Sequence, residues 1–269
     1  MAYNICSTCG IQLEDAKHPP GSCPICTNDR QYVARSGQQW TTLEKMKRRG
    51  FKNRITRVES GLHQIITKPS FGIGQRAFLV RTKSGNLLWD CIAYIDEDTI
   101  TAVKGLGGID AIAISHPHFY SSMVEWSEAF GGVPVYIHKL DARWVQRSSP
   151  NTTFWRGEKA SPLSGLEIIH LGGHFIGSSV LYWSGGATGK GVILSGDTLH
   201  VVMDRRWVSF MYSYPNHIPL SARKVRAIAS RIKQYAFANL HGGFEGGDII
   251  GNADRAVQLS AERYVDHLR

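Results

Sequence analysis

The sequence predicts a mixed α/β domain preceded by a small metal-held module. Three observations carry that expectation. From about residue 60 onward, apolar runs of strand length alternate with amphipathic stretches of helical period. Four of the five cysteines form two Cys-x-x-Cys pairs near the start, Cys6/Cys9 and Cys23/Cys26, with 13 residues between the pairs. Several histidines and one aspartate stand just after apolar runs and beside glycine, where strands end and side chains project from a rim. At 269 residues the chain has room for one large domain plus a small appendage.

Residues 1–34 form the expected module. They hold too few apolar residues to fold alone, and metal binding supplies about 10–16 kcal/mol of folding energy to such units. In a reducing compartment, paired Cys-x-x-Cys knuckles bind metal rather than form disulfides. Four thiolates complete a tetrahedral ion and leave no open position, so Cys6, Cys9, Cys23 and Cys26 are expected to hold a structural metal. The runs Cys6-Ser7-Thr8-Cys9-Gly10 and Cys23-Pro24-Ile25-Cys26 resemble the rubredoxin-like end of rubrerythrins. Iron is therefore the alternative to zinc there; zinc is favoured because no electron-transfer partner is visible in the chain. Cys91, inside the apolar run Leu87–Ile92, is expected to be buried and inert.

The formal charge is +9, and residues 1–57 contribute ten basic and four acidic side chains, a net of +6. Such a bias attracts nucleic acid or an acidic partner when aromatic residues are interleaved. None interrupts Lys45-Met46-Lys47-Arg48-Arg49, so a solvated basic surface is expected, and nucleic acid is not an expected partner. No apolar run approaches 18 residues, which predicts no membrane span. The start, Met1-Ala2-Tyr3-Asn4-Ile5-Cys6, lacks the charged and apolar regions of a signal peptide, and the expected location is cytoplasmic.

Residues 35–58 are expected to be a basic linker, with a short helix over Trp40–Arg48 closed by Arg49-Gly50. Strands follow at Leu62–Thr67, Arg76–Thr82 and Asn86–Ile92, the last two joined as a hairpin by the turn Thr82–Asn86. Asp96–Leu106 carries acids at its start and Gly107-Gly108 at its end, which marks a helix. The apolar run Ala111–Ile114 is a buried strand leading to His116. Ser122–Phe130 reads as a helix, Val133–His138 as a strand and Leu140–Gln146 as a helix. His138 matches no ligand pattern and is assigned to core or surface. Residues 147–162 are a polar loop in which Phe154 and Trp155 either line a pocket or anchor the loop. Strands at Leu166–Leu171, Ser179–Trp183 and Gly191–Leu194 lead to His174 and Asp197. Ser221–Gln234 places Val225, Ile228, Ala229 and Ile232 on one face of a basic amphipathic helix. Phe237–Leu240 is the strand before His241, and Asp254–Leu268 the closing helix. There are no internal repeats.

His116 and His118, two apart on an extended chain, project to the same side, and Pro117 between them restricts the backbone. Neutral imidazole is the commonest zinc ligand. Downstream lie Gly172-Gly173-His174, Ser195-Gly196-Asp197 and His241-Gly242. Taken in this order and spacing, the motifs resemble those of the metallo-β-lactamase superfamily, over roughly residues 60 to 269. The resemblance implies an αββα sandwich over residues 59–269, with metal at one edge between two sheets. It implies first-site ligands at His116, His118 and His174, a shared carboxylate at Asp197, and a remaining second-site histidine at His241. The family's first motif is normally His-x-His-x-Asp-His; here Tyr120 and Ser121 stand in place of Asp and His. One tightly bound metal is therefore expected, with a second weak or absent and His241 the least certain ligand.

The implied activity is metal-dependent hydrolysis of a small-molecule ester, thioester, lactone or amide. Zinc is the expected catalytic ion, with iron or manganese as alternatives. Zinc lowers the pKa of bound water from 15.7 to about 7. Asp197 would ligate or orient the water and accept its proton, and His241 would assist. The Tyr120 phenol would hydrogen-bond the oxyanion or leaving group. Two alternatives compete. One is a mononuclear iron oxidoreductase of the persulfide-dioxygenase type, since two His and one carboxylate resemble a facial triad. The other is a non-enzymatic scaffold in which the basic module binds nucleic acid or protein.

Overall fold

The computed structural model describes residues 3–14 and 18–268. Two sheets pack face to face with helices outside each, giving the αββα order. The first sheet has seven strands in chain order: Lys52–Glu59, Leu62–Lys68, Arg76–Thr82, Gly85–Trp89, Ala111–Ala113, Val135–His138 and Thr152–Trp155. Its first four strands run antiparallel through short turns. From Gly85–Trp89 onward the pairings are parallel, which requires crossovers. The helices Glu97–Gly105 and Met123–Ala129 lie on the first two of those crossovers.

The second sheet orders Lys159–Leu163, Leu166–His170, Ser179–Trp183, Val192–Leu194, Asn239–His241 and Asp248–Ile250. Its one parallel pair, Val192–Leu194 with Asn239–His241, is bridged by a connection that includes helix Ala222–Ile232. Helix Ala253–Asp266 closes the chain.

The period-two alternation of strands explains the layers. Leu87 and Trp89 face inward with Phe78, Val80, Ala111 and Ala113, and meet Leu166, Ile168, Leu181, Trp183, Val192 and Leu194 from the other sheet. Their neighbours Leu88, Leu79 and Ile112 face outward onto Val103, Met123, Val124 and Trp126. On the far side Ile169, Val180, Ile193 and Leu240 pack under Val225, Ile228, Ala229 and Ile232, the face expected from the helical period.

The four-cysteine segment rests on this frame. Ile11, Leu13 and Ile25 share one core with Ile65, Leu79 and Leu88 of the first sheet. Its short strand Ile5–Cys6 pairs with Trp40–Thr41, so the expected helix over Trp40–Arg48 is shorter and begins at Leu43, capped by Thr42 accepting from the Lys45 amide at 3.2 Å.

Three edge strands differ from expectation. Lys52–Glu59 lies in the segment read as a linker, yet it is an edge of the first sheet. It is half-exposed throughout, and its basic residues, which suit an unpaired edge, mask the strand pattern. The polar run 147–162, read as a loop, supplies Thr152–Trp155 and Lys159–Leu163, one edge of each sheet. Trp155 is buried in the inter-sheet core, while Phe154 lies on the surface beneath Lys139, so both anchor structure and neither lines the site cavity. The segment expected as helix Leu140–Gln146 is a 3-10 turn over Lys139–Trp144.

Candidate metal centre

The strand Ala111–Ala113 ends in Ile114-Ser115-His116 at the rim between the sheets. His116 is extended (φ −169°, ψ 170°), but the chain then turns into a 3-10 helix over Pro117–Phe119. The two histidines thus converge across a turn, not along an extended strand. Proline at the first position of that turn suits its fixed φ and missing N–H.

His174 follows Gly173, whose φ of +92° is open to glycine and whose added Cβ would lie 2.9 Å from Ile228 Cδ1. Asp197 follows Gly196, at φ +51°, where a Cβ would fall 2.5 Å from Ser115 Oγ. These two glycines let the second sheet's rim close onto the His116 turn. As a result one ligand atom each from His116, His118, His174 and Asp197 lies within 4.8 Å of all the others, and all four residues are buried.

The hydrogen bonds orient this cluster. His174 Nδ1 donates to the Met211 carbonyl at 3.2 Å, leaving the Nε2 lone pair toward the centre, 3.2 Å from His118 Nδ1. His116 Nδ1 meets Ser115 Oγ at 2.9 Å, and its Nε2 lies 3.4 Å from Asp197 Oδ2. His116 Nε2 and Asp197 Oδ1 are buried without any hydrogen-bond partner. Buried lone pairs without donors are costly unless a cation takes them, so this donor set fits a metal ion. Burial, then the neighbouring histidines, push His118 well below the ordinary imidazole value; burial and the charge of His116 take His174 down to about 3. Both imidazoles are neutral at pH 7, the form that can offer a lone pair to a metal. Burial alone would raise Asp197, but the adjacent His116 imidazole, with His174 and His200, holds it well below the usual carboxylate range.

Two expected site residues lie elsewhere. His241 is outside the cluster: its Nδ1 meets Asp248 Oδ1 at 2.7 Å and its Nε2 lies 3.6 Å from Glu59 Oε1. Asp248 is also gripped by buried Arg76 at 2.6 Å. Burial works against protonation of His241, but the hydrogen bond to Asp248 and the nearby Glu59 carboxylate outweigh it and raise its pKa. Because the folded value is raised, His241 contributes stability that is full below about pH 6.5 and is lost as pH rises through the folded value. His241→Gln is expected to lower thermal stability more at pH 5.5 than at pH 8.5 and to leave the cluster's metal in place. Metal loss in that variant would make His241 a ligand.

Tyr120 is the second. Its ring is packed in the core, its hydroxyl donates to the Asp141 carbonyl at 3.3 Å, and it does not line the cavity. Ser121 Oγ accepts from Gln75 at 3.0 Å.

Several residues at the centre escaped the sequence reading. His200, three after Asp197, holds Nδ1 4.0 Å from Asp197 Oδ1 and lies against the Tyr214 ring at 4.4 Å. Tyr214 donates its hydroxyl to the Asp197 carbonyl at 2.9 Å. Asp90 accepts the Ser115 amide at 2.7 Å behind His116, and burial pushes its carboxyl up to about 7. Only the three-residue spacing of His200 from Asp197 was available as a signal. A cavity of about 290 Å³ opens over His118, His174 and Asp197, walled by His200, Tyr214 and Phe244 and by Gln31 and Tyr32 from the N-terminal segment.

The second cluster is Cys6, Cys9, Cys23 and Cys26, all buried. Cys6 Sγ lies 3.6 Å from Cys26 Sγ and Cys9 Sγ 3.7 Å from Cys23 Sγ. A tetrahedral ion with 2.3 Å bonds to sulfur sets these edges at about 3.8 Å. The four sulfurs therefore fit a closed tetrahedral site. Cys91 is separate and buried.

No protein-family model matches the sequence. It is 50% identical over 269 residues to YmaE, an uncharacterized protein of Bacillus subtilis (strain 168), covering 100% of this chain and 97% of YmaE. The chain belongs to the YmaE family. Its fold is that of the metallo-β-lactamases. The DIM-1 metallo-β-lactamase aligns with a TM-score of 0.58 at 15% identity over 79% of this chain and 98% of its own. The mono-zinc form of the metallo-β-lactamase FIM-1 from Pseudomonas aeruginosa aligns with a TM-score of 0.57 at 14% identity, over 79% and 96%. Like them, this YmaE-family chain is an αββα sandwich; about a fifth of it lies outside each alignment. Among its described residues no helix is long and apolar enough to cross a membrane.

Proposed function

We propose that this YmaE-family protein is a metal-dependent hydrolase acting on a small neutral ester, thioester or lactone at one zinc ion held by His116, His118, His174 and Asp197. The observation that carries the reading is the buried cluster of three imidazoles and one ionised carboxylate opening onto a cavity. When bound, zinc supplies Lewis acidity and a water acidified to near neutrality. The chain's own groups do the rest. Asp197 Oδ1, free of other partners, accepts a hydrogen bond from the attacking water and takes its proton. His200, at the cavity wall beside that oxygen, orients the same water or the leaving group. Phe244 and Tyr214 give an apolar lining, and among the described residues no Lys or Arg lines the cavity to pair with an anionic substrate. At about 290 Å³ the space is at the small end for ligand pockets.

A single ion follows from the donor inventory. Tyr120 and Ser121 stand where a carboxylate and an imidazole would complete a second site, and His241 is engaged by Asp248. The test is metal analysis with a panel of chromogenic ester, thioester, lactone and β-lactam substrates, using protein loaded separately with zinc, iron and manganese. One zinc per three-histidine site with turnover of a neutral acyl substrate is expected. Two tightly held ions there, or activity only as an iron oxygenase, would overturn the assignment. Because the Tyr120 hydroxyl is bound to a backbone carbonyl, Tyr120→Phe is expected to leave turnover unchanged and to cost about 0.5–1.5 kcal/mol of stability. A fall in turnover without a fall in stability would restore a catalytic role to the phenol.

A further inference from the structure

The strap that follows the second cysteine knuckle runs directly to the metal centre. Beginning at Asn28, two residues after Cys26, it carries Arg30, which is buried although its sequence neighbours gave no sign of it. Arg30 Nε donates to the His174 carbonyl at 2.5 Å, and its guanidinium is braced by Asn28 Oδ1 at 3.1 Å. The guanidinium lies between two rings, 4.0 Å from the centroid of Tyr212 and 4.6 Å from that of Phe175. Phe175 in turn packs against all three imidazoles, with centroids 5.7 Å from His116, 4.9 Å from His118 and 5.2 Å from His174.

The same strap is stapled to the segment that orients His174 from its other side. Met211, whose carbonyl accepts from His174 Nδ1, begins a strand, and the residues after it hold the strap. Tyr212 donates to Asp29 Oδ1 at 2.9 Å, and Ser213 Oγ donates to the Arg30 carbonyl at 3.1 Å. Asn216 Nδ2 donates to the carbonyls of Asp29 at 2.9 Å and Gln31 at 3.0 Å. One residue on, Gln31 is itself buried and lines the cavity, and its Oε1 has no hydrogen-bond partner.

We infer that the strap 28–32 is a positioning element of the three-histidine site, so that the four-cysteine module sets the geometry and affinity of the catalytic metal and supplies one wall of the substrate cavity. Arg30 acts through His174 and Phe175, fixing the backbone of the first and the ring of the second. The Met211 carbonyl is held in register by the same strap. Removing an outer partner of a metal ligand typically weakens binding by about 10–100-fold, and here two partners of His174 depend on one five-residue strap. The module is then more than a folding clamp.

The inference rests on the three-histidine cluster being a metal site, and the experiment separates the two. Zinc affinity at that site is measured on the full chain by competition with a chromophoric chelator. Cobalt substitution reports the four-cysteine site through its thiolate charge-transfer absorption. Arg30→Met is expected to weaken the three-histidine site by about 10–100-fold while the thiolate absorption is unchanged, with Arg30→Lys intermediate. Asn216→Ala, a milder change that only unstaples the strap, is expected to weaken it several-fold and serves where Arg30→Met does not fold. Wild-type affinity in both Arg30→Met and Asn216→Ala, or in Asn216→Ala alone where Arg30→Met does not fold, would overturn the positioning role. Wild-type protein that binds no zinc outside the cysteines would instead overturn the hydrolase reading, and this inference with it.

Discussion

Asp197→Asn is expected to empty the three-histidine site and reduce hydrolysis by at least about 100-fold, beyond the loss typical of an outer-shell change. The amide matches the carboxylate in shape, so packing beneath it is kept. What changes is charge. Asp197 is the one carboxylate among the four clustered side chains, and its three partners are imidazoles. His118 and His174 are held neutral by burial, so without the carboxylate a dication would sit in a buried site with no charge to balance it. The metal-free protein is expected to lose stability too. The imidazoles around Asp197 outweigh its burial and hold it ionised, so the carboxylate contributes stability at neutral pH and the Asn variant is expected to be less stable than the metal-free wild type. Metal stoichiometry, turnover and thermal unfolding with and without chelator check the three statements. Full metal occupancy in the variant would remove Asp197 from the ligand set.

The ligand candidates were legible because each stands where an apolar run stops. Leu194 ends one buried strand and His241 is the last residue of another, and Gly173 and Gly196 permit backbone approaches that a Cβ would block. Motif order separated His116, His118, His174 and Asp197 from the chain's other histidines, and the structure draws those four together. It leaves His241 aside because Asp248, seven residues on, pairs back across the next strand and takes its ring nitrogen. No spacing rule weighs that competition. Tyr120 illustrates the same gap: a polar group after His-x-His reads as chemistry until its hydroxyl is found on a carbonyl 21 residues away.

The fold's central strands were legible and its edges were not. Leu87-Leu88-Trp89 is apolar on both faces because both faces are covered. Lys52–Glu59 and Thr152–Trp155 each have a free edge and a wet face, so their composition is that of linkers and loops. Arg30 was the least legible residue. Counted with the solvated basic charge of the N-terminal segment, it is buried, and its function depends on His174, 144 residues away.

Loss of the cysteine metal is the second large effect expected. Cys9→Ser with Cys26→Ser removes one ligand from each knuckle, and two remaining thiolates do not hold a structural ion. The folding energy that such a metal supplies, about 10–16 kcal/mol, is comparable to the whole stability of an ordinary domain, about 5–15 kcal/mol. The segment around the cysteines contributes Ile11, Leu13 and Ile25 to a core shared with the first sheet, and its single strand pair is two residues long. Without the ion those contacts cannot offset the chain entropy of the module. The double variant is therefore expected to lose one equivalent of metal and to exchange its N-terminal amides freely. Uncovering Ile65, Leu79 and Leu88 is expected to make it prone to aggregate. Since the strap bearing Arg30 begins at this knuckle, affinity at the three-histidine site is expected to fall as well. The coloured oxidised protein that iron would give is not expected; a colourless protein with one zinc per four cysteines is. Unchanged metal content and unchanged thermal stability in the double variant would mean that the four sulfurs, 3.6 and 3.7 Å apart in pairs, are simply reduced thiols in a module that folds by its own packing.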